Sequence, residues 1–284
     1  EPKKVGSSHS KVKPGRIVVL VIGLVASGKC PHRSSAMSSK MLPAPSFMIA
    51  RKRLSALADS EALYCATAPN QLWSWDITYL PSRIRGMFFY LYMIIDVFSR
   101  KIVGWEVHLR ESGFHAAVLV QKAILSEGCL LAPPVLHSDN GAPQKGFTLR
   151  AKLENLGVTA SYSRPHVSDD NPYSEALFRT VKYRPDYPSR GIELLEDARG
   201  WVKGFVSWYN DKHSHSGIRY VTPAERHDGR DAEVLEMRRQ VYATAKATHP
   251  ERWSKKTRNW DYISEVWLNP PADANISSTS ARAA

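Results

Sequence analysis

The sequence is poor in cysteine, and the few cysteines it has are spread along the chain. Three occur among 284 residues: Cys30, Cys65 and Cys129. An odd number of widely separated cysteines forms neither a disulfide framework nor a zinc site of the usual spacing. We therefore expect a protein of a reducing cytoplasm, because disulfide-rich frameworks are typical of oxidising compartments.

Long apolar runs are also missing. The run over residues 17–26 is too short to span a bilayer, and although its basic flank mimics a signal peptide, we expect neither a membrane span nor export. The stretch from Gly23 to Lys29 nearly matches a phosphate-binding loop. However, Cys30 replaces the required Ser or Thr, and Pro31 disfavours the helix that must follow. We interpret residues 1–65 as a divergent or poorly ordered basic leader.

Acidic residues are scarce at the amino terminus, where Lys and Arg outnumber Asp and Glu by 11 to 2 in residues 1–60. The remaining chain is close to neutral, with 28 basic against 25 acidic residues, although the whole chain carries +12. A basic balance favours nucleic-acid partners. Here it comes mainly from the leader, so a DNA hypothesis must rest on a specific site.

From residue 72 onward, strand and helix patterns alternate. Apolar, β-rich runs at residues 87–97 and 101–108 predict a hairpin, and short strands are predicted at 133–138 and 158–162. Helical patterns are predicted in the ranges 114–126, 147–156 and 192–210, with a further helix around Glu175. Mixed strands covered by helices indicate an α/β fold.

Three acidic residues have distinctive settings. Asp76 lies in a predicted strand, on the face opposite a row of aromatic residues; Asp139 ends a strand before a turn signal; and Glu175 lies near the start of a helix that Asn171 is suited to cap. A cluster of carboxylates holds Mg²⁺ through hard oxygen ligands. Two such ions about 3.5–4 Å apart activate one oxygen and stabilise another in phosphodiester chemistry.

Thirty-five residues separate Asp139 from Glu175, and both local strings are characteristic. With residues 87–107, 161–188, 208–229 and 251–270, they make the chain resemble the D,D(35)E transposases of insertion sequences, whose catalytic core is related to retroviral integrase. The resemblance covers about residues 66–271. It implies a ribonuclease-H-like core with a mixed five-stranded sheet and flanking helices over residues 66–228, and a small helical and aromatic/basic extension over residues 229–284.

The resemblance also implies roles for single residues. Asp76, Asp139 and Glu175 would be catalytic and would hold two Mg²⁺ or Mn²⁺ ions, with Asp76 shared between them. Lys182, two helical turns after Glu175, would hold a DNA phosphate. Arg179 and Arg164 are further candidate DNA contacts. The implied partners are the ends and target of a mobile element, with a homo-oligomer assembled on DNA in the bacterial cytoplasm near the nucleoid.

Several alternatives remain open from the sequence. Asp96 can bond backbone amides of its turn instead of a metal, and Asp169 and Asp170, placed in a flexible loop, are fallback ligands for Glu175. A loop with His213 and His215 offers a weak metal pattern, for which packing is the simpler interpretation. The carboxy-terminal aromatic and basic residues suit DNA contact or a small core. Functionally, a ribonuclease-H-like nuclease and an inactive DNA-binding remnant compete with an active transposase.

Overall fold

The computed structural model describes residues 64–164 and 170–269. The predicted leader lies outside these residues except for its last two positions. A two-residue strand, β1, precedes the five strands of the main sheet. The strands are β1 (Cys65–Ala66), β2 (Leu72–Pro81), β3 (Phe88–Asp96), β4 (Ile102–His108), β5 (Val135–Ser138) and β6 (Thr159–Tyr162).

Seven α-helices are found in the described ranges, and a last short strand, β7 (Val266–Trp267), follows them. None of these helices is long and apolar enough to cross a bilayer. The four predicted helices are confirmed, a further long helix, α7, falls in the carboxy-terminal extension that was expected to be partly helical, and two short helices, α2 and α6, were not predicted. The helices are α1 (Gly113–Ser126), α2 (Ala142–Lys145), α3 (Phe147–Asn155), α4 (Pro172–Lys182), α5 (Leu195–Asp211), α6 (Pro223–His227) and α7 (Asp231–Thr248).

The strand order in the main sheet is β4-β3-β2-β5-β6. β3 runs antiparallel to both of its neighbours, whereas β2, β5 and β6 are mutually parallel. The two parallel pairings require crossovers, which the chain makes through its helices. A mixed five-stranded sheet of this order, with helices on both faces, is the ribonuclease-H-like fold, and it confirms the fold expected from the sequence.

The central strand β2 separates two hydrophobic cores because its side chains alternate between the faces of the sheet. Trp73 and Trp75 pack with buried residues of α1 and α3. Leu72 and Leu80 face the opposite way, into the core formed with α4 and α5. Asp76 is four residues from both Leu72 and Leu80, so its side chain lies on the same face of the sheet as theirs. The alternation therefore directs it toward the helix that carries Glu175.

The carboxy-terminal segment returns to the start of the folded region. β7 pairs antiparallel with β1, and the Leu268 amide donates to the Tyr64 carbonyl at 2.9 Å. Val266 and Leu268 belong to the same core as α4 and α5. Trp260 is 5% exposed and packs in a smaller cluster with residues of the preceding helices. Trp260 therefore has a core role.

Candidate active site

The three predicted catalytic carboxylates come from three neighbouring elements. Asp76 lies within β2, Asp139 follows the last residue of β5, and Glu175 is in the first turn of α4. Trp75 and Ser138 are partners in the parallel β2–β5 ladder. The two aspartates, each one residue further on, therefore lie beside each other, Asp76 within β2 and Asp139 just after β5. Glu175 lies in the first turn of α4, and its negative charge also acts on Asp76.

The negative charges of Asp139 and Glu175 act on the Asp76 carboxylate. The pKa of the Asp76 carboxyl is raised from its ordinary value of 3.8 to about 7, mainly by burial and to a smaller extent by the negative charges of Asp139 and Glu175. Hydrogen bonds from the Ile77 backbone and from Gln144 oppose the rise but do not cancel it. The raised pKa of Asp76 therefore reflects first its burial and then the two acidic neighbours.

Two neutral side chains orient the aspartates. The Gln144 side-chain amide donates to Asp76 Oδ1 at 3.3 Å, and the Ser163 hydroxyl donates to Asp139 Oδ1 at 2.7 Å. Gln144 is 5% exposed, and within the described residues its Oε1 has no hydrogen-bond partner. Gly141 makes room for it, since a Cβ there would lie 2.2 Å from Gln144 Oε1. Sequence reasoning missed both Gln144 and Ser163.

The donor set suits a hard divalent cation. Carboxylate oxygens are the ligands that Mg²⁺ and Mn²⁺ take, and an uncharged, buried amide oxygen lies beside them. Within the described ranges, no three His, Cys, Asp or Glu side chains form a group that could hold a metal ion as they stand. Asp139 and Glu175 nevertheless raise the pKa of Asp76 through space. A metal role for Asp76, Asp139 and Glu175 therefore stays a prediction.

The start of α4 differs in one respect from the sequence-based expectation. Asn171 occupies the N-cap position, but its side chain caps no helix amide. It is fully buried and contacts β2 instead, through Ser74 and the Trp75 carbonyl. Asp170, predicted in a flexible loop, is 1% exposed and forms an ion pair with Arg164 at 2.8 Å. That loop prediction was wrong for Asp170, whereas Asp169 lies outside the described residues.

Two of the predicted DNA contacts lie on α4, and the third lies in the segment before it. Arg179 and Lys182 are both exposed on the helix that carries Glu175, and the Arg179 guanidinium lies 5.8 Å from the centre of the Tyr183 ring. Arg164 donates two bonds from Nε and one from Nη2 to the Asp170 carboxylate. Its first role is therefore to hold the segment before α4, and a DNA contact stays a prediction.

Asp96 and the loop with His213 and His215, which were alternative candidates for metal binding, have structural roles. Asp96 is fully buried and accepts from the Asn70 and Ser99 amides, both at 2.7 Å, as expected for a turn-forming carboxylate. The His213 ring lies 4.8 Å from the Trp208 ring, and His215 accepts from the Gly217 amide. These contacts confirm packing and capping for the two histidines.

The raised pKa of Asp76 predicts a pH-dependent stability for the metal-free protein. Between about pH 4 and 7 the folded state keeps a proton that the unfolded chain has released, so folding stability falls as pH rises through this window. Asp76→Asn removes this loss. We expect its melting temperature to match that of the wild type near pH 4, to exceed it increasingly up to pH 7, and to keep that advantage above. A constant difference between pH 4 and 8 would contradict the assignment.

Comparisons with known proteins agree with the fold. Two models, each described as an integrase core domain, match residues 66–168 and 156–223. The transposase for insertion sequence element IS904 of Lactococcus lactis is 31% identical over 167 residues, covering 57% of this chain and 63% of that protein. The putative transposase for IS986/IS6110 of Mycobacterium tuberculosis is 30% identical over 165 residues, covering 56% and 58%.

Among solved structures, the catalytic core domain of BIV integrase is 21% identical, with a TM-score of 0.41, and the match covers 61% of this chain and 99% of that one. The chain spans less than two thirds of the length of the two transposases. The two integrase-core matches nevertheless run together from residue 66 to residue 223, more than half of the chain, and include all three acidic residues. The chain therefore belongs to the integrase core domain family over residues 66–223, and it is similar to transposases of insertion sequences.

Proposed function

We propose that this chain is a metal-dependent transposase. It hydrolyses a phosphodiester at the end of a mobile DNA element and joins the freed 3′-hydroxyl to another strand. The observation that carries the proposal is the effect of the negative charges of Asp139 and Glu175 on the half-buried Asp76 in an integrase-type core. A buried carboxylate whose pKa is raised by burial and by neighbouring acids is a typical setting for a functional site.

Each side chain has a defined part in this proposal. Asp76 and Asp139 would hold one divalent ion, and Asp76 and Glu175 the second. Bound there, the two ions would lower the pKa of the attacking hydroxyl and offset charge on the leaving oxygen. Gln144 orients the Asp76 carboxylate and Ser163 that of Asp139 through the hydrogen bonds they donate. Such supporting bonds fix ligand direction before substrate arrives.

The proposed chemistry needs no covalent protein intermediate, because water and a DNA hydroxyl serve as alternative nucleophiles in the same in-line displacement. One site can therefore cut first and join second. Both ends of an element must be joined to another strand in a concerted way, which calls for at least two such sites. We accordingly propose a homo-oligomer assembled on DNA as the active form.

Lys182 is the cation best placed to position a DNA phosphate, because it lies two helical turns from Glu175 on the same face of α4. Lys182→Ala should weaken binding of element ends for all sequences tested and reduce the salt dependence of log K by about one. The matched control is Lys203→Ala, which removes an exposed lysine from α5. An unchanged salt slope in Lys182→Ala would remove this lysine from the DNA interface.

The function is tested with purified protein, a duplex carrying an element end, and Mg²⁺ or Mn²⁺. The proposal requires release of a 3′-hydroxyl followed by a joined product of increased length. Two other outcomes would each replace it. Cleavage of an RNA–DNA hybrid without any joining would indicate a ribonuclease-H-like nuclease, and retained DNA binding without cleavage would indicate an inactive remnant.

A further inference from the structure

A buried hydrogen-bond chain connects β2 to the first turn of α4. The Asn171 side chain contacts the Ser74 hydroxyl through Oδ1 and the Trp75 carbonyl through Nδ2, the latter at 3.4 Å. The Ser74 and Ser174 hydroxyl oxygens are 2.6 Å apart. Asn171 and Ser74 are 0% exposed, and Ser174 is 2% exposed. No solvent can replace these bonds, so each group depends on its protein partner.

The direction of every bond in this chain follows from the chemistry of the groups. The Trp75 carbonyl can only accept, so the Asn171 amide nitrogen must face it and the amide oxygen must face Ser74. Ser74 has one hydroxyl proton, which it donates to that oxygen. Ser174 must then be the donor to Ser74. The chain has a single consistent order, from Ser174 through Ser74 and Asn171 to the β2 backbone.

This arrangement departs from the usual role of asparagine at a helix start. An N-cap asparagine normally accepts a bond from an amide of the first turn, which stabilises the helix. Here the side chain forgoes that bond and points to the strand. The Asn171 backbone carbonyl accepts from the Glu175 amide at 3.3 Å. One residue therefore bonds the backbone of Glu175 and also the strand that carries Asp76, two residues beyond Ser74.

We propose that Asn171 is a positioning residue that fixes the distance between Glu175 and Asp76. This inference rests on the proposed function, because the hydrogen bonds between Asn171 and β2 would serve catalysis only if both carboxylates hold metal ions. Without these hydrogen bonds, α4 would remain packed through its apolar face, which includes Leu177 and Val181. Its first turn, however, would lose its polar attachment to β2, and Glu175 would be held less accurately.

The test measures metal binding separately from catalysis. In Asn171→Leu, which removes both amide bonds at similar size, the dissociation constant for Mn²⁺, measured by electron paramagnetic resonance, should rise about 10- to 100-fold. The rate of strand transfer at fixed Mn²⁺ should fall by a similar factor, whereas affinity for the DNA end should not change. Ser174→Ala, which removes only the outermost donor, should show the same pattern with a smaller amplitude.

Two controls separate positioning from general loss of stability. Val181→Ala creates a cavity under the same helix, and Thr180→Ala removes a hydroxyl that donates to the Ala176 carbonyl. Both should keep the wild-type Mn²⁺ affinity, even though Val181→Ala lowers the melting temperature. The inference is overturned if Asn171→Leu binds Mn²⁺ as the wild type does, or if Val181→Ala weakens binding equally. Wild-type protein whose Mn²⁺ binding is absent, or is unaffected by Asp76→Asn, would instead overturn the metal site on which the inference rests.

Discussion

Asp76→Asn is expected to abolish DNA strand transfer, with a loss of about 10²- to 10³-fold or more, because the proposed site places this carboxylate between both metal ions. The substitution keeps the shape of the side chain and its ability to accept a bond, but removes the charge that attracts the cations. Asp139→Asn and Glu175→Gln should have effects of the same order. Residues that act as one unit lose function together, so combining two substitutions should add little to either one.

The measurement is single-turnover joining of a pre-cut end, with end binding followed in parallel. Binding should survive all three substitutions, since each removes negative charge close to DNA. Glu193→Gln is a matched control: this carboxylate is exposed, and it pairs with Arg83 on the surface at 3.0 Å. It should join ends at the wild-type rate. Near-normal joining by any one of the three variants would remove that residue from the site.

Arg226→Ala is expected to destabilise the fold by about 3–5 kcal/mol, because it leaves Asp231 as an uncompensated buried charge. The Arg226 guanidinium donates to Asp231 at 2.9 Å and to the carbonyls of Phe98 and Ile263 at 2.8 and 2.7 Å. It also lies 4.1 Å from the centre of the Phe98 ring. Arginine and aspartate are 1% and 2% exposed. For a domain of this size the melting temperature should fall on the order of 10 °C.

A second variant shows what the pair itself contributes. Burial lowers the pKa of Arg226 and raises that of Asp231, so the cost of removing each charge from water exceeds the attraction between them. Replacing both residues with apolar side chains of similar volume should therefore restore much of the stability lost in Arg226→Ala. Arg230→Ala breaks a solvent-exposed pair with Asp228 and should leave the melting temperature unchanged. Equal effects of Arg226→Ala and Arg230→Ala would contradict this account.

The sequence predicts the elements of the main sheet closely because their signals are local. The predicted strands at residues 87–97 and 101–108 correspond to Phe88–Asp96 and Ile102–His108, and the predicted helix at 114–126 begins one residue earlier. The alternation around Asp76 correctly predicted that its carboxylate faces away from the neighbouring tryptophans. Strand periodicity determines the face of a side chain without reference to any distant residue.

The supporting contacts could not be predicted in the same way, because they depend on which elements meet. Asn171 has the sequence setting of an N-cap, and only the approach of β2 explains why its side chain turns toward the strand. Gln144 lies on a four-residue helix with no strong sequence signal, and its bond to Asp76 spans 68 positions. For Ser163 a signal did exist, since it directly follows the strand paired with the one that leads to Asp139.

The antiparallel pairing of β1 with β7 determines the order in which parts of the growing polypeptide can fold. Cys65 pairs with Trp267, so some two hundred residues must leave the ribosome before the first strand finds its partner. Contacts between such distant positions form late, because the intervening chain loses freedom when its ends meet. The sheet bearing Asp76 and Asp139 contains no such distant pairing. The main sheet can therefore form before β1 pairs with β7, so that this pairing is added to a core that is already largely folded.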